Sequence, residues 1–97
     1  MKKRLYARYN GPEGYTHDVV KFKHAEMEGE LVRGELYVVE NVRAGSAFTA
    51  ITLQGVSSKY KELNSVAFDF AITRDGHLIR HNIYNDKEFN PYLSNEK

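Results

Sequence analysis

The sequence predicts a small all-β domain, a barrel of five or six antiparallel strands, and three observations predict it. Val66, Phe68, Phe70 and Ile72 alternate with Ala67, Asp69 and Ala71, the period of two that marks a strand with one buried face. Asp75-Gly76 follows, a dipeptide that accepts the positive φ angles of a tight hairpin turn. Further short runs rich in β-branched and aromatic residues recur along the chain, separated by turn-forming residues.

The elements follow in order. Residues 4–9 form a short strand, and Asn10-Gly-Pro-Glu-Gly14 is a turn by composition. Residues 17–24 read as a strand with Val20 and Phe22 inward and Val19, Lys21 and Lys23 outward. Residues 24–33 read as a loop with one helical turn at 25–28, because Gly29 weakens anything longer. Gly34 opens the next strand, where Leu36, Tyr37, Val38 and Val39 place apolar groups on both faces, as in a barrel wall. Residues 43–46 are a loop. Residues 48–53 form a strand, with Thr49, Ile51 and Leu53 on one face. Residues 55–64 are polar and exposed, with one helical turn. The hairpin through residue 84 completes a single domain, 1–84, and residues 85–97 form a polar, loosely packed C-terminal tail anchored by Phe89, Tyr92 and Leu93. A meander of this length fits an SH3-like barrel, with an OB-like barrel as the alternative.

Composition narrows the function. Ninety-seven residues make one domain with a modest core. The net charge is +1, too balanced for a dedicated duplex-DNA binder. With no cysteine, the fold has no disulfide, no thiolate chemistry and no Cys-ligated zinc. The basic start Met1-Lys-Lys-Arg4 lacks the apolar run of a signal peptide, since residues 10–14 interrupt it. No run approaches the ~20 apolar residues of a membrane span. The expected location is therefore the cytoplasm, with no membrane partner.

No reaction is legible. His77 and His81 are four apart, which on a strand is about 13 Å, too far for one ion with ligand bonds near ~2 Å. His17 and His24 are seven apart and point to opposite faces. Asp69, Glu35 and Glu40 face away from the core, and no carboxylates pair at a fixed short spacing. Ser57, Ser58 and Ser65 sit in no nucleophile motif, and the glycines form no phosphate-cradling loop but serve as turns. The expectation is a non-enzyme with no catalytic residues, no metal and no cofactor.

The basic and aromatic groups give the surface signal. Lys21 and Lys23 share an outward face with His17, Lys59-Tyr60-Lys61 sets a ring between two cations, and Arg43 stands before the strand at residue 48. Small barrels bind with loops and one face, using cations for phosphate and rings for stacking. Lys21, Lys23, Arg43, Lys59, Tyr60 and Lys61 are the candidate ligand- or partner-binding set, compatible with a nucleotide or single-stranded nucleic acid. The plainer reading, that the lysines solvate outer strands and block edge pairing, carries more weight at this charge balance. Tyr6, Tyr9, Tyr15, Tyr60, Tyr84 and Tyr92 cannot all enter so small a core, and exposed tyrosines anchor protein interfaces. An exposed sheet edge would also pair with a second copy or a host chain.

Three segments carry a resemblance. Gly34-Glu-Leu-Tyr-Val-Val, Phe48-Thr-Ala-Ile-Thr-Leu and Asn64-Ser-Val-Ala-Phe-Asp-Phe match the order G-x-x-Y-x-V, T-x-I-x-L, N-S-V-x-F. This resembles small SH3-like proteins encoded by phages and prophages of low-GC Gram-positive bacteria, over about residues 17–72. The resemblance implies a phage accessory protein in the cytoplasm of a bacterial host. It would bind and neutralise a host factor, a protein or a signalling nucleotide, as an inhibitor of host defence. The Asp75-Gly76 hairpin and the tail lie outside the shared pattern.

Overall fold

The computed structural model describes residues 4–12, 19–45 and 48–90; His17, Tyr92 and Leu93 lie outside the described residues. Strands β1 (Leu5–Tyr9), β2 (Leu36–Ala44), β3 (Thr49–Leu53), β4 (Leu63–Asn64), β5 (Phe68–Arg74) and β6 (His77–Arg80) accompany one helix, α1 (Val19–Met27). All six strands join one antiparallel sheet in the order β4-β3-β2-β1-β5-β6. The chain is mostly β, as the alternation predicts, but the sheet does not close. Among the described residues β4 and β6 are its two edges, so the expected barrel is replaced by an open sheet. Helix α1 supplies the second layer that a barrel would have found in its own far wall.

The core lies between the inner sheet face and α1. Leu5, Ala7 and Tyr9 of β1 and Phe68, Phe70 and Ile72 of β5 point inward by strict alternation, and all are buried. Phe22 of α1 stacks on Tyr9 at 5.9 Å between ring centroids and lies 6.2 Å from Phe68, itself 5.3 Å from Tyr9. This aromatic triangle clamps the helix to the middle of the sheet. On β2 the register runs Val39↔Leu53 and then Asn41↔Thr52. Glu40 is the extra residue of a β-bulge, which resets the alternation so that Val39 and Val42 both pack on the core.

The helix is the main correction. Residues 19–24 are helical, not extended, and Val20 is exposed rather than inward. Lys-Phe-Lys alternates as a strand would, but the buried pair is Phe22 and Ala25, spaced three apart on one helix face. Gly29 does not shorten the helix but caps it. At φ +77° it lets its own N–H reach Glu26 O at 3.1 Å and the Glu30 N–H reach Ala25 O at 2.9 Å, the paired closure of a Schellman motif.

Four smaller differences follow from packing. Arg43 lies within β2 rather than in a loop. Residues 55–64 are not uniformly exposed: Tyr60, Leu63 and Asn64 are buried, because the 3-10 turn Ser58–Tyr60 folds inward and β4 joins the sheet. Val66 is exposed in a 3-10 turn, Ser65–Ala67, where the Asn64 side chain accepts from its N–H at 3.1 Å, so β5 begins only at Phe68. Strand β6 ends at Arg80, and a 3-10 turn, Ile83–Asn85, takes up the rest of the expected strand. The Asp75-Gly76 turn is as predicted, with φ of 53° and 81° and Arg74 opposite His77. Past the strands, Ile83 is buried and Phe89 packs against the core.

Candidate functional site

The six sequence-predicted residues lie on α1, the end of β2 and the 57–62 loop, a basic rim in which carboxylates already engage three of them. Arg43, on the exposed side of β2, donates from Nε to Glu62 Oε2 at 2.9 Å and from Nη2 to Glu62 Oε1 at 2.7 Å, a two-pronged pair. Glu62 sits just before β4 at φ 65°, a left-handed conformation unusual for its type. The Arg43 hydrogen bonds hold its carboxyl below the ordinary carboxylate range, and the charges of Arg43, Lys61 and Lys21 add to this. The structure thus gathers Arg43, Lys61 and Lys21 around one glutamate.

A second cluster ties the 3-10 turn at residues 58–60 to the end of α1. Tyr60 donates to Glu28 Oε1 at 2.6 Å, Lys59 Nζ meets Glu28 Oε2 at 3.1 Å, and the Ser57 N–H donates to Glu30 Oε1 at 2.8 Å. Lys59 Nζ lies 5.7 Å from the Tyr60 ring centre. The Tyr60 hydrogen bond, followed by that from Lys59, holds Glu28 low. The same hydrogen bond, with burial and the Glu28 charge, pushes the Tyr60 hydroxyl up to about 12. The Tyr60 ring is buried, so it is no stacking platform. Lys23 is exposed on α1 and has no ion-pair partner among the described residues. A phosphate arriving at this rim would compete with Glu28 and Glu62 for its cations. Lys59, Tyr60 and Arg43 serve here as tethers of the 57–62 loop.

A third carboxylate holds the turn before β2. Tyr9 donates to Glu26 Oε2 at 2.5 Å, and Arg33 Nε and Nη2 reach the same oxygen at 3.1 Å. Burial, with Glu26 second, pushes the Tyr9 hydroxyl well above its ordinary value. A Cβ on Gly11 would run into the Arg33 guanidinium, and Gly11 has φ +88°.

Over β1, β5, β6 and the first half of β2, the opposite face of the sheet carries no covering element among the described residues. Alternation sends Tyr6 and Arg8 of β1, Leu36 and Val38 of β2, Asp69, Ala71 and Thr73 of β5, and Leu78 and Arg80 of β6 to that outer side. The register aligns them in cross-strand rows: Val38, Tyr6, Ala71 and Arg80 in one, Leu36, Arg8 and Asp69 in the next. Arg8 Nη1 donates to Gly34 O at 2.9 Å, and Arg80 Nη2 lies 3.5 Å from Asp69 Oδ1. Between the two arginines runs an open groove of about 330 Å³ floored by Leu36, Ala71 and Leu78. A second groove, of about 280 Å³, continues past Asp69 and Arg80 to Tyr84. The sequence signal for this face is the off-beat half of each strand's alternation, a mixture of Leu, Val, Tyr, Ala, Thr, Asp and Arg.

His81 Nε2 lies 2.8 Å from Asp86 Oδ2, both largely buried, with the Phe89 ring edge-on to the imidazole. This pair fixes residues 83–90 to the end of β6. The Ser65 hydroxyl is bonded to the Tyr84 hydroxyl at 2.7 Å. Among the described residues no three His, Cys, Asp or Glu side chains group as metal ligands, and no helix is long and apolar enough to cross a membrane.

No curated protein and no solved structure matches the chain. A family model described as Bacteriophage T4 protein Y07B matches residues 4–95, a span that takes in the whole sheet, the hairpin and most of the tail. The phage origin implied by the three strand motifs therefore stands, and the chain belongs to the family of Bacteriophage T4 protein Y07B.

Proposed function

We propose that this phage protein is a non-enzymatic accessory factor that binds and neutralises a host protein through the outer face of β2-β1-β5-β6. One observation carries the reading: a sheet face bare among the described residues, with an apolar floor of Leu36, Ala71 and Leu78 between Arg8 and Arg80. Aromatic and arginine anchors around an apolar centre characterise protein interfaces. Contiguous apolar patches that stay exposed mark interaction sites. The cytoplasm of the bacterial host is the compartment this reading requires.

A nucleotide or single-stranded nucleic acid is the second reading. Its support is the convergence of Lys21, Lys61 and Arg43 on Glu62. The pairing of Arg43 with Glu62 and of Lys59 with Glu28 favours the protein partner, because a polyanion must first break those pairs.

Capture from host lysate with paired variants tests the choice. Arg8→Glu with Leu36→Glu alters the outer face; Lys59→Glu with Lys61→Glu alters the rim. The proposal expects a host protein that is lost with the first pair, kept with the second, and retained as salt is raised. Loss with the second pair alone, with binding that falls steeply in salt as phosphate contacts do, would overturn it in favour of the polyanion.

A further inference from the structure

Strand β6 is an edge with few of the usual defences against pairing. Edge strands are normally blunted by extreme shortness, lysine, proline or a bulge. The other edge, β4, has two residues. β6 has four, His77-Leu78-Ile79-Arg80, all exposed, with no lysine or proline, and its register with β5 is unbroken. Leu78 is 45% and Ile79 40% exposed.

The direction of its backbone groups follows from one hydrogen bond. The His81 N–H donates to Phe70 O at 2.8 Å. Antiparallel ladders alternate, so Ile79 and His77 also turn their backbone groups to β5. Leu78 and Arg80 turn theirs to the free edge. An antiparallel partner whose own outward groups lie two residues apart therefore meets this edge in register.

We propose that the partner is a second copy of this chain, paired β6 to β6 with Ile79 opposite Ile79. In this register each Leu78 faces the other copy's Arg80, and both pairs exchange their N–H and C=O groups. The two Ile79 side chains meet on the inner face beside the buried Ile72. On the outer face the aliphatic stem of Arg80 lies over Leu78 while its guanidinium stays at Asp69. The two sheets become one, and the outer groove continues across the junction. This pairing rests on the edge alone and is independent of the host partner.

Sedimentation and cysteine cross-linking test it. The native chain should sediment as a concentration-dependent dimer. Leu78→Pro should be monomeric with its melting transition kept, because the N–H it removes points away from β5. The chain has no cysteine, so a single introduced thiol reports register. Opposed Ile79 Cα atoms would lie about 4.5 Å apart, a span a disulfide bridges. Leu78 would lie about 7–8 Å from its own copy, beyond that span. Ile79→Cys should therefore cross-link roughly tenfold faster than Leu78→Cys. A native chain that is monomeric at every concentration, a dimer that survives in folded Leu78→Pro, or equal cross-linking rates would overturn the proposal. Should Leu78→Pro fail to fold, the two cross-linking rates decide alone.

Discussion

Glu28 and Glu62 govern the loop that carries Lys59, Tyr60 and Lys61, and the titration of these carboxyls and of Tyr60 makes that loop sensitive to pH at both extremes. Both carboxyls are held below their ordinary value of 4.5 by hydrogen bonds from Tyr60 and Arg43 respectively. A lowered folded value means that folding favours the charged form. The stabilisation is therefore full above the unfolded value and is lost as pH falls through the folded one. Tyr60 behaves oppositely. Its hydroxyl is raised from 10.0 to about 12, so its contribution is full below pH 10.0 and is lost as pH climbs toward 12. Protection factors for hydrogen exchange at residues 57–62 should stay high between these limits and fall at each end while the β1–β5 core remains protected. Protection of the loop that is uniform from the acid to the alkaline end would show that these hydrogen bonds do not hold it. These tethers were invisible in the sequence. Lys59 and Arg43 are readable as cations, but their carboxylates stand 31 and 19 residues away along the chain.

Helix α1 shows how one pattern serves two elements. Lys21-Phe22-Lys23 has the on-off rhythm of a strand, and Gly29 reads as a helix breaker. The structure uses Phe22 with Ala25 as one helix face and Gly29 as its cap. The cap gives a graded test. Nothing lies within 4 Å of a Cβ added at Gly29, whereas at Gly11 it would strike Arg33. Gly29→Ala should cost only the left-handed strain, about 1 kcal/mol. Gly11→Ala should cost more, since it also displaces the guanidinium that braces Glu26 and Tyr9. Denaturant midpoints measure both, and the reverse order would contradict this account of the two turns. The strands were more legible than the helix. Thr49, Ile51 and Leu53, and Phe68, Phe70 and Ile72, keep faithful alternation because each row is pinned by two neighbours or by the core. The Glu40 bulge escaped notice because an extra residue reads as mere irregularity until the facing register is known.

For the whole molecule, period-two patterning shows which side of each strand is buried but not whether the first and last strands meet. A barrel and a helix-covered open sheet make the same demand on residues 68–72. The choice falls to α1, which covers the inner face and leaves the outer one bare among the described residues. Our proposal adds to the basic rim, where sequence placed the candidate site, the row of Leu36, Arg8 and Asp69 and its neighbours. The most direct test of an open sheet with a bare outer face is the map of cross-strand contacts between backbone protons in solution. Such a map should link Tyr6 to Val38 on one side and to Ala71 on the other, and leave residues 63–64 and 77–80 with no contact between them. Contacts joining those two edges would close the sheet into a ring and contradict the account.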